Sequence, residues 1–400
     1  MIDRQKLMRI LGRGRPRTDF DGEPVLGGWY TEKEVAAAVR AIRSSMDWRI
    51  GFGFIEDETT SFEREFARYC GTKYAVSVAT ASVGLDMAMR ALDLKSGDEV
   101  ICPAVNFKAS HMAILGAGGK LVFCEIDPAT LNSDPADVER RITRRTRAIL
   151  AVHMNGLSAP MDDLIAVARR NSRGRRVPIR VIGDAARACG GGYRGTRIGK
   201  RGFMNIFSFH TMKLMTTLGE GGMITTDDKR LAARLSDMRQ WGGAKEWGSS
   251  YKMTKVQAAV GRVQLRRLDS MIARRVRLAN LRSKMLSGVP GLTLPTEPEG
   301  YAHTYYLYTL MVPREWAGKK RDRVTELLRK RHRIGCIIAN PPTYEVNSYI
   351  RAHTGRQSLP LSEEIGARIF SPSIHPLMTD AQNEYIAAAV ISAIENVRNG

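Results

Sequence analysis

Residues 205 to 226 read Asn-Ile-Phe-Ser-Phe-His-Thr-Met-Lys-Leu-Met-Thr-Thr-Leu-Gly-Glu-Gly-Gly-Met-Ile-Thr-Thr, and this stretch places one lysine, Lys213, between two apolar segments. Residues 206–209 are predicted to form a buried strand, residues 219–222 a glycine-rich turn and residues 223–226 the returning strand. Desolvation disfavours an ammonium group, and the neutral amine is the nucleophile that a Schiff-base lysine requires. The alternative is a lysine on a solvated loop, which the residue type alone favours.

Upstream of this stretch, strand-like and helical segments alternate along the chain. The predicted strands are 74–79, 99–102, 120–126, 148–153 and 179–183, and the predicted helices are 82–92, 108–115, 134–142 and 161–171. Strands separated by helices predict an α/β fold with a mainly parallel sheet and helices on both faces. Such sheets bind ligands at the carboxyl ends of their strands.

The flanking segments suggest how the chain divides, and its 400 residues favour two domains. Residues 1–28 are polar and weakly patterned, and we interpret them as an N-terminal arm. Residues 29–255 are predicted to form a large domain, and residues 256–400 a bridging helix and a small C-terminal α+β domain.

Within these parts, a helix is expected to begin at Thr31, where Glu34 completes a capping box. Its apolar face is predicted to contain Val35, Val39 and Ile42. A long helix near Thr254 is expected to carry apolar residues on one side and arginines on the other. The remaining predicted helices are 61–69, 229–238, 323–332 and 379–394, and the remaining strands are 303–312 and 334–339.

The composition restricts the functional classes. The formal net charge is +21, which favours anionic partners, but the basic residues are spread over several clusters that we interpret mainly as solvated surface. The five cysteines have no metal or redox spacing, so reduced thiols in a cytoplasmic protein are expected. The first residues lack the apolar region of a signal peptide, and no apolar run approaches the roughly 20 residues that span a bilayer.

Several polar or aromatic residues fall where predicted strands end. Thr80, Ala81 and Ser82 open a helix, where main-chain N–H groups and hydroxyls suit a phosphate, although these residues taken alone favour an ordinary helix cap. Phe107 is either a flat apolar wall or a core residue. Asp184 ends an apolar strand and needs either a cationic partner or a capping role. Together with Lys213, these are the parts that hold pyridoxal phosphate: an amine, a carboxylate, an aromatic face and a phosphate site.

The motifs in their order resemble the DegT/DnrJ/EryC1/StrS family of pyridoxal-phosphate-dependent sugar aminotransferases, from Tyr30 to Ile394. The motifs that carry this resemblance are Phe62-Glu-Arg-Glu-Phe-Ala, Gly97-Asp-Glu-Val-Ile, Asp184-Ala-Ala, Ser208-Phe-His, Gly219-Glu-Gly-Gly, Gln257-Ala-Ala and Ser373-Ile-His-Pro-Leu. The resemblance implies the fold-type-I architecture: a large α/β/α domain with a seven-stranded sheet, a small C-terminal domain, and a homodimer with active sites at the subunit interface.

The resemblance also implies roles for individual residues. Lys213 matches the lysine that forms an imine with the cofactor, and Asp184 matches the aspartate that pairs with the pyridine nitrogen. Phe107 matches the aromatic that stacks on the ring. The phosphate ligands implied are Ala81, Ser82 and Ser208.

Three positions depart from the family pattern. Thr80-Ala81-Ser82 replaces Ser-Gly-Thr at the phosphate. Arg187 replaces a glutamine near the phenolic oxygen of the cofactor, where an arginine either holds that oxyanion or reaches for an acidic substrate. Ser250 replaces an asparagine that contacts the cofactor phosphate of the partner subunit.

The function implied is transfer of an amino group from L-glutamate or L-glutamine to a ketone, with pyridoxamine phosphate as the intermediate form of the cofactor. The acceptor is a keto sugar, including nucleotide-linked ones, or a cyclitol, in amino-sugar or antibiotic biosynthesis. One alternative is an aminotransferase that acts on a non-sugar ketone or aldehyde. A second is a sugar dehydratase, for which one relative in the family carries a histidine in place of the lysine at position 213. A third, from another class, is a basic nucleic-acid-binding protein. No appended nucleic-acid-binding module is seen, so no nucleic acid is expected as a partner. No membrane is expected either, because no apolar run approaches the length that spans a bilayer.

Overall fold

The computed structural model describes residues 3–16, 30–339 and 341–399. Its strands are β1 (Tyr74–Val78), β2 (Glu99–Pro103), β3 (Lys120–Cys124), β4 (Thr146–Val152), β5 (Arg180–Asp184), β6 (Gly192–Tyr193), β7 (Thr196–Arg197), β8 (Met204–Ser208), β9 (Gly222–Thr226), β10 (Tyr301–Ala302), β11 (Leu310–Met311), β12 (Cys336–Ile337) and β13 (Ile369–Pro372). Seven of them form one sheet in the order β1-β9-β8-β5-β4-β2-β3. Only β9 runs antiparallel to its neighbours in that sheet, so the predicted mainly parallel seven-stranded sheet is confirmed.

Helices cover both faces of this sheet. The helices are α1 (Arg4–Gly12), α2 (Glu32–Ser44), α3 (Asp57–Cys70), α4 (Ala81–Arg90), α5 (Lys108–Gly116), α6 (Pro135–Arg140), α7 (Met161–Arg170), α8 (Lys229–Met238), α9 (Lys255–Leu286), α10 (Lys319–Lys330), α11 (Thr343–Val346), α12 (Ser348–Thr354), α13 (Pro360–Arg368) and α14 (Asp380–Asn399). On one face, Val100 of β2 packs in the same cluster as side chains of α4, α5 and α8. On the other face, Ile101 packs with side chains of α6 and α7. Successive strand residues point to opposite faces, which explains the continuous apolar runs in the sequence.

Helix α2 begins at the predicted capping box, but its buried face differs from the prediction. Val35 and Ile42 are 50% and 49% exposed. The buried side includes Glu34, whose carboxylate accepts a hydrogen bond from Gln264 (2.8 Å) and pairs with Arg267. Ala37 and Ala41 pack with Ala259 and Val263 of α9 in the same contact, so small apolar residues and this ion pair together orient the helix. The apolar face predicted from the spacing was wrong at this point.

The predicted N-terminal arm contains a helix in its described part. Leu7 of α1 is buried against the same cluster as side chains of α14. Residues 17–28 of that arm lie outside the described residues. The domain boundaries at residues 28 and 255 stay predictions.

Helix α9 starts where it was predicted, but not all of its arginines face solvent. Arg275 and Arg282 are buried, with exposed fractions of 2% and 0%. Arg275 donates to the carbonyl of Ile374 (2.8 Å), and Arg282 donates to the carbonyl of Ser373 (2.9 Å) and to Oδ1 of Asn383 (2.9 Å). These arginines satisfy carbonyl groups of the C-terminal part of the chain, which helical periodicity does not reveal.

The C-terminal part contains a three-stranded sheet in the order β11-β13-β12. The predicted strand over residues 303–312 is wrong for most of its length, because only residues 310–311 belong to a strand. The N–H groups of Thr304 and Leu307 donate instead to the carbonyls of Gly156 (3.0 Å) and Asn155 (3.2 Å). This segment therefore docks on the loop after β4 rather than extending a sheet.

Two further properties concern the whole described part of the chain. In residues 3–16, 30–339 and 341–399, no helix has the length and apolar character needed to cross a membrane. The cysteines are free thiols.

Candidate active site

Asp184, the last residue of β5, lies at the carboxyl edge of the sheet. Its side chain is only 7% exposed. Oδ2 accepts a hydrogen bond from the Ser110 hydroxyl (2.5 Å), and Oδ1 accepts one from the N–H of Ala186 (3.1 Å). A buried carboxylate held by two neutral donors keeps its charge available for a cationic ligand group.

Lys213 lies in the turn between β8 and β9, as predicted, and is partly buried. Its N–H donates to the carbonyl of His210 (2.9 Å), and the Tyr30 hydroxyl accepts from the N–H of Leu218 (2.6 Å) farther along the turn. The Lys213 amine lies 4.9 Å from the centre of the Tyr306 ring. The turn is thus anchored at both ends while the amine is directed at an aromatic face.

The phosphate ligands predicted from the sequence meet around one glycine. Gly222 pairs with Ser208 across β8 and β9, and a Cβ at Gly222 would lie 2.8 Å from the nitrogen of Ala81. The Thr80 hydroxyl already accepts from the N–H of Val83 (3.1 Å). The N–H groups of helical residues 81 and 82 find no acceptor within the described residues. Unpaired N–H groups at a helix N-terminus next to a serine hydroxyl form an anion site.

Phe107 immediately precedes α5, and its ring is 55% exposed. Its N–H donates to Oδ1 of Asn106 (2.6 Å), and the Asn106 amide donates to the Ser110 hydroxyl (2.9 Å). Ser110 in turn binds Asp184. One hydrogen-bonded chain therefore links the aromatic residue to the carboxylate, and the exposed ring is available as a flat surface.

Arg187 lies one turn after Asp184 and is partly buried. Its guanidinium donates to Oδ1 of Asn155 (3.2 Å) and lies 5.9 Å from the centre of the Tyr306 ring. Burial lowers the pKa of this guanidinium, and the nearby Tyr306 and Asp184 oppose that effect. Arg187 and Lys213 thus approach the same tyrosine ring.

Ser250 does not join this group within the described residues. It lies on an exposed loop, where its hydroxyl accepts from Lys252 (2.8 Å). The Lys252 amine lies 3.8 Å from the centre of the exposed Trp241 ring. The loop is nevertheless close to the anion site, because the carbonyl of Tyr251 accepts from the N–H of Ala79 (2.8 Å).

Sequence reasoning missed Ser110, Asn155 and Tyr306. Ser110 is a polar residue in an otherwise apolar helical segment, and this contrast was a usable signal. Tyr306 belongs to an aromatic run that the sequence analysis assigned to a strand. Nothing in the local sequence connects Asn155 with Arg187, because the contact depends on how two strand ends converge.

His153 lies beneath these groups, directly after β4. Burial lowers its pKa to about 4. Its Nδ1 accepts from the N–H of Ala159 (3.0 Å), so Nε2 carries the proton. The ring is therefore neutral near pH 7 and supports the loop that carries Asn155.

The residues present fit pyridoxal phosphate. Asp184 is buried and fixed by two neutral hydrogen-bond donors, with the Arg187 guanidinium nearby, and its carboxylate suits a protonated pyridine nitrogen. Residues 80–82 and Ser208 offer donors to a phosphate. Phe107 offers a flat face, and Lys213 offers an amine. The site thus has a group for each part of that cofactor.

Comparisons with known proteins agree with this geometry. The profile of the DegT/DnrJ/EryC1/StrS aminotransferase family matches residues 30–391. The dTDP-3-amino-3,6-dideoxy-alpha-D-galactopyranose transaminase of Aneurinibacillus thermoaerophilus is 34% identical, over 90% of this chain and 95% of that protein. The GDP-perosamine synthase of Caulobacter vibrioides is 35% identical, over 82% and 88% of the two chains.

Solved structures agree as well. The crystal structure of DesV from S. venezuelae, in complex with a ketimine intermediate, superposes with a TM-score of 0.85. The two sequences are 31% identical, and the match covers 94% of this chain and 99% of DesV.

Proposed function

The chain belongs to the DegT/DnrJ/EryC1/StrS aminotransferase family, and we propose that it transfers an amino group from L-glutamate or L-glutamine to the ketone of a nucleotide-linked sugar. It is an aminotransferase, and the family implies pyridoxal phosphate as its cofactor. The curated relatives named above are a dTDP-amino-sugar transaminase and a GDP-perosamine synthase, which supports an acceptor of that class. The observation that carries the proposal is the convergence of Lys213 and Asp184 at one edge of the sheet.

Each residue has a defined task in this proposal. Bound pyridoxal phosphate supplies a carbonyl carbon that accepts an amino group and a ring that withdraws electrons from the adjacent carbon. Asp184 pairs with the pyridine nitrogen, while Ser110 holds the carboxylate in place. Phe107 would offer a flat surface to the ring, and the Lys213 amine would be the group that condenses with the carbonyl carbon and releases water.

Lys213 is also the base and acid of the reaction. With the cofactor and donor bound, the Lys213 amine would take a proton from the α-carbon of the donor and would deliver it to the carbonyl-derived carbon of the cofactor. The anchored turn keeps the amine within reach of both atoms.

The phosphate site and Arg187 complete the proposed cofactor site. The N–H groups of Ala81 and Ser82 and the hydroxyl of Ser208 hold the phosphate. Arg187 would supply a positive charge to the phenolic oxygen of the cofactor. Ser250 is assigned to the cofactor phosphate of a partner subunit.

A homodimer is part of the proposal. Trp48, Phe52 and Phe54 are 88%, 62% and 69% exposed, and Trp241 beside Lys252 is 52% exposed. Such a concentration of exposed aromatic side chains marks an interaction surface. Because Ser250 lies on the same loop as Trp241, this surface is where a second copy would complete the site. We expect light scattering to give twice the mass of one chain.

The test is a pair of half-reactions. Purified enzyme loaded with pyridoxal phosphate should show a visible absorption band that L-glutamate or L-glutamine abolishes. A panel of nucleotide-linked keto sugars, a cyclitol ketone and simple 2-oxo acids should then restore it, with the nucleotide sugars giving the highest kcat/KM. An enzyme without such a band, or one that releases a dehydrated sugar and no amino sugar, contradicts the proposal.

A further inference from the structure

The loop after β4 has a contact that the proposed function does not use. Asn155 is 3% exposed and has a positive φ of 54°, a conformation that asparagine and glycine tolerate. Its Oδ1 accepts from the guanidinium of Arg187 (3.2 Å). Its amide nitrogen donates to the hydroxyl of Thr309 (2.9 Å), which contacts the hydroxyl of Ser371 (3.0 Å).

The same loop is attached to the C-terminal part of the chain through its backbone. The carbonyl of Asn155 accepts from the N–H of Leu307 (3.2 Å). A Cβ at Gly156 would lie 2.5 Å from the hydroxyl of Thr304, so this glycine permits the close approach. Asn155 is therefore fixed from both sides.

Tyr306 lies in the segment that this loop contacts. Its ring centre is 5.9 Å from the Arg187 guanidinium carbon and 4.9 Å from the Lys213 amine. A permanent cation and the proposed catalytic amine therefore both lie close to this ring. The strength of a charge effect over such distances depends on where the guanidinium is held.

We propose that Asn155 is a positioning residue, which holds the Arg187 guanidinium near the Tyr306 ring that Lys213 also approaches, and joins this cation to the C-terminal sheet through Thr309. The inference rests on the proposed function, because it concerns the charge next to the cofactor. The role follows from geometry: Arg187 has a long flexible side chain, and a buried amide oxygen with a second anchor restricts it.

The measurable consequence is a shift in the pH at which the visible absorption band of the holoenzyme changes. A nearby positive charge disfavours the protonated form of the cofactor bound at Lys213, so the visible band should change at a lower pH than it would without Arg187. Among the described residues, the charged or titratable groups near Arg187 include Asp184 on its own turn and Tyr306 from the C-terminal part, and the Lys213 amine lies near the same tyrosine ring. None of these is altered in the variants below.

The experiment measures the pH midpoint of the visible band in the holoenzyme. Arg187→Gln should raise the midpoint by about one pH unit. Asn155→Gly keeps the positive φ accessible and should raise it by roughly half as much, because the guanidinium then loses the acceptor that is anchored to Thr309. Combining Asn155→Gly with Arg187→Gln should add nothing to the effect of Arg187→Gln alone.

Two further variants separate positioning from general stability. Thr309→Val removes the second anchor and should raise the midpoint slightly, while Thr309→Ser should restore it. Asn383→Ala is the matched control, because Asn383 also accepts from a buried arginine, Arg282, and donates to the carbonyl of Leu278 (2.9 Å), away from Lys213. It should lower the melting temperature without moving the midpoint.

The outcomes are distinct. The inference is overturned if Asn155→Gly leaves the midpoint unchanged, or if it shifts the midpoint equally with and without Arg187. If that variant does not fold, the Thr309 pair decides: equal midpoints for Thr309→Val and the parent overturn the inference. A parent enzyme that shows no band at all contradicts the proposed function instead.

Discussion

The two ends of the central sheet each contain a buried aspartate. The groups around each carboxylate indicate whether it serves a ligand site or the stability of the fold. Asp184, at the carboxyl ends, is 7% exposed, and Asp98, just before β2 at the amino ends, is 6% exposed. Asp184 is held by the Ser110 hydroxyl and a main-chain N–H. Asp98 is neutralised by Arg147 (3.1 Å). One carboxylate keeps its charge for a ligand, and the other has its charge compensated within the fold.

The amino ends of the strands are rich in arginine. A groove of about 970 Å³ lies there, and its basic lining residues are Lys95, Arg144, Arg147, Arg173, Arg175 and Arg176. Arg175 donates to the carbonyls of Asn171 (2.6 Å) and Thr143 (2.7 Å), and so ties two loops together. Basic residues at this end are therefore numerous and mostly solvated. At the carboxyl ends, by contrast, Arg187 and Lys213 both approach the Tyr306 ring.

The largest expected effect is the loss of Lys213. Lys213→Ala removes the amine that binds the cofactor and moves the proton, so we expect amino transfer to fall by about 10⁴-fold or more. Lys95→Ala, at the opposite end of the sheet, is the control and should retain the parent rate. Turnover by Lys213→Ala at the parent rate would falsify the assignment of this lysine.

The second prediction compares the aspartates directly. Asp184→Asn should lower kcat by roughly 10²-fold or more, because a neutral amide does not keep the pyridine nitrogen protonated. Asp98→Asn makes the same chemical change and should lower the free energy of unfolding by about 1–3 kcal/mol with kcat retained. Steady-state kinetics and urea unfolding of both variants check this. Similar losses of kcat in the two variants would contradict a catalytic role for Asp184 and a purely stabilising role for Asp98.

The third prediction concerns the arginine that ties the loops at the amino ends. Arg175→Ala leaves several carbonyls without their donor and should lower the free energy of unfolding by about 1–2 kcal/mol. Arg176→Ala, on an exposed neighbour, should change it by less than about 0.5 kcal/mol. Urea unfolding measures both, and neither variant should change kcat. A kinetic defect in Arg175→Ala would show that the two ends are coupled.

A further expected effect is an acid sensitivity of the carboxyl end. Burial lowers the pKa of His111 and of His153 from 6.5 to about 4. Between these values the unfolded chain binds protons that the folded chain does not, so stability falls as the pH drops below 6.5. The loss approaches about 1.4 kcal/mol per pH unit for each histidine.

Urea unfolding at pH 7.5 and pH 5.5 measures this loss. The hydroxyl of Thr343 lies 2.8 Å from Nδ1 of His111, and a glutamine can retain part of that contact. His111→Gln should reduce the difference between the two pH values by about 1 kcal/mol. His353→Gln, on an exposed side chain, should leave the difference unchanged. An unaltered difference in His111→Gln would mean that this histidine is not the source of the loss.

Much of the fold was predictable because it depends on local patterns. Apolar runs of strand length separated by helical segments predict the parallel sheet, and strand ends predict where polar residues meet. Asp184 and Lys213 were identified in this way, and the structure places both at the carboxyl edge. Their roles, and those of Phe107, Ser208 and Arg187, remain proposals until the variants are measured.

Long-range packing decided the features that were predicted wrongly. Val35 and Ile42 have the spacing of a buried face, yet the helix contacts α9 through Glu34, Ala37 and Ala41 and leaves them exposed. The segment 303–309 has the composition of a strand, but the N–H groups of Thr304 and Leu307 donate to the loop after β4. In both cases contacts with residues distant in sequence outweighed a local preference.

The sequence by itself determined the strand–helix alternation, the position of Lys213 in its turn and the carboxylate that ends β5, because each depends on neighbouring residues. Only the tertiary structure decided that Ser110 holds that carboxylate, that Tyr306 lies beside the lysine and that Asn155 holds Arg187. Those contacts join residues from separate strand ends and from the C-terminal part of the chain. Their geometry depends on how sheet, helices and loops pack, which no local pattern encodes.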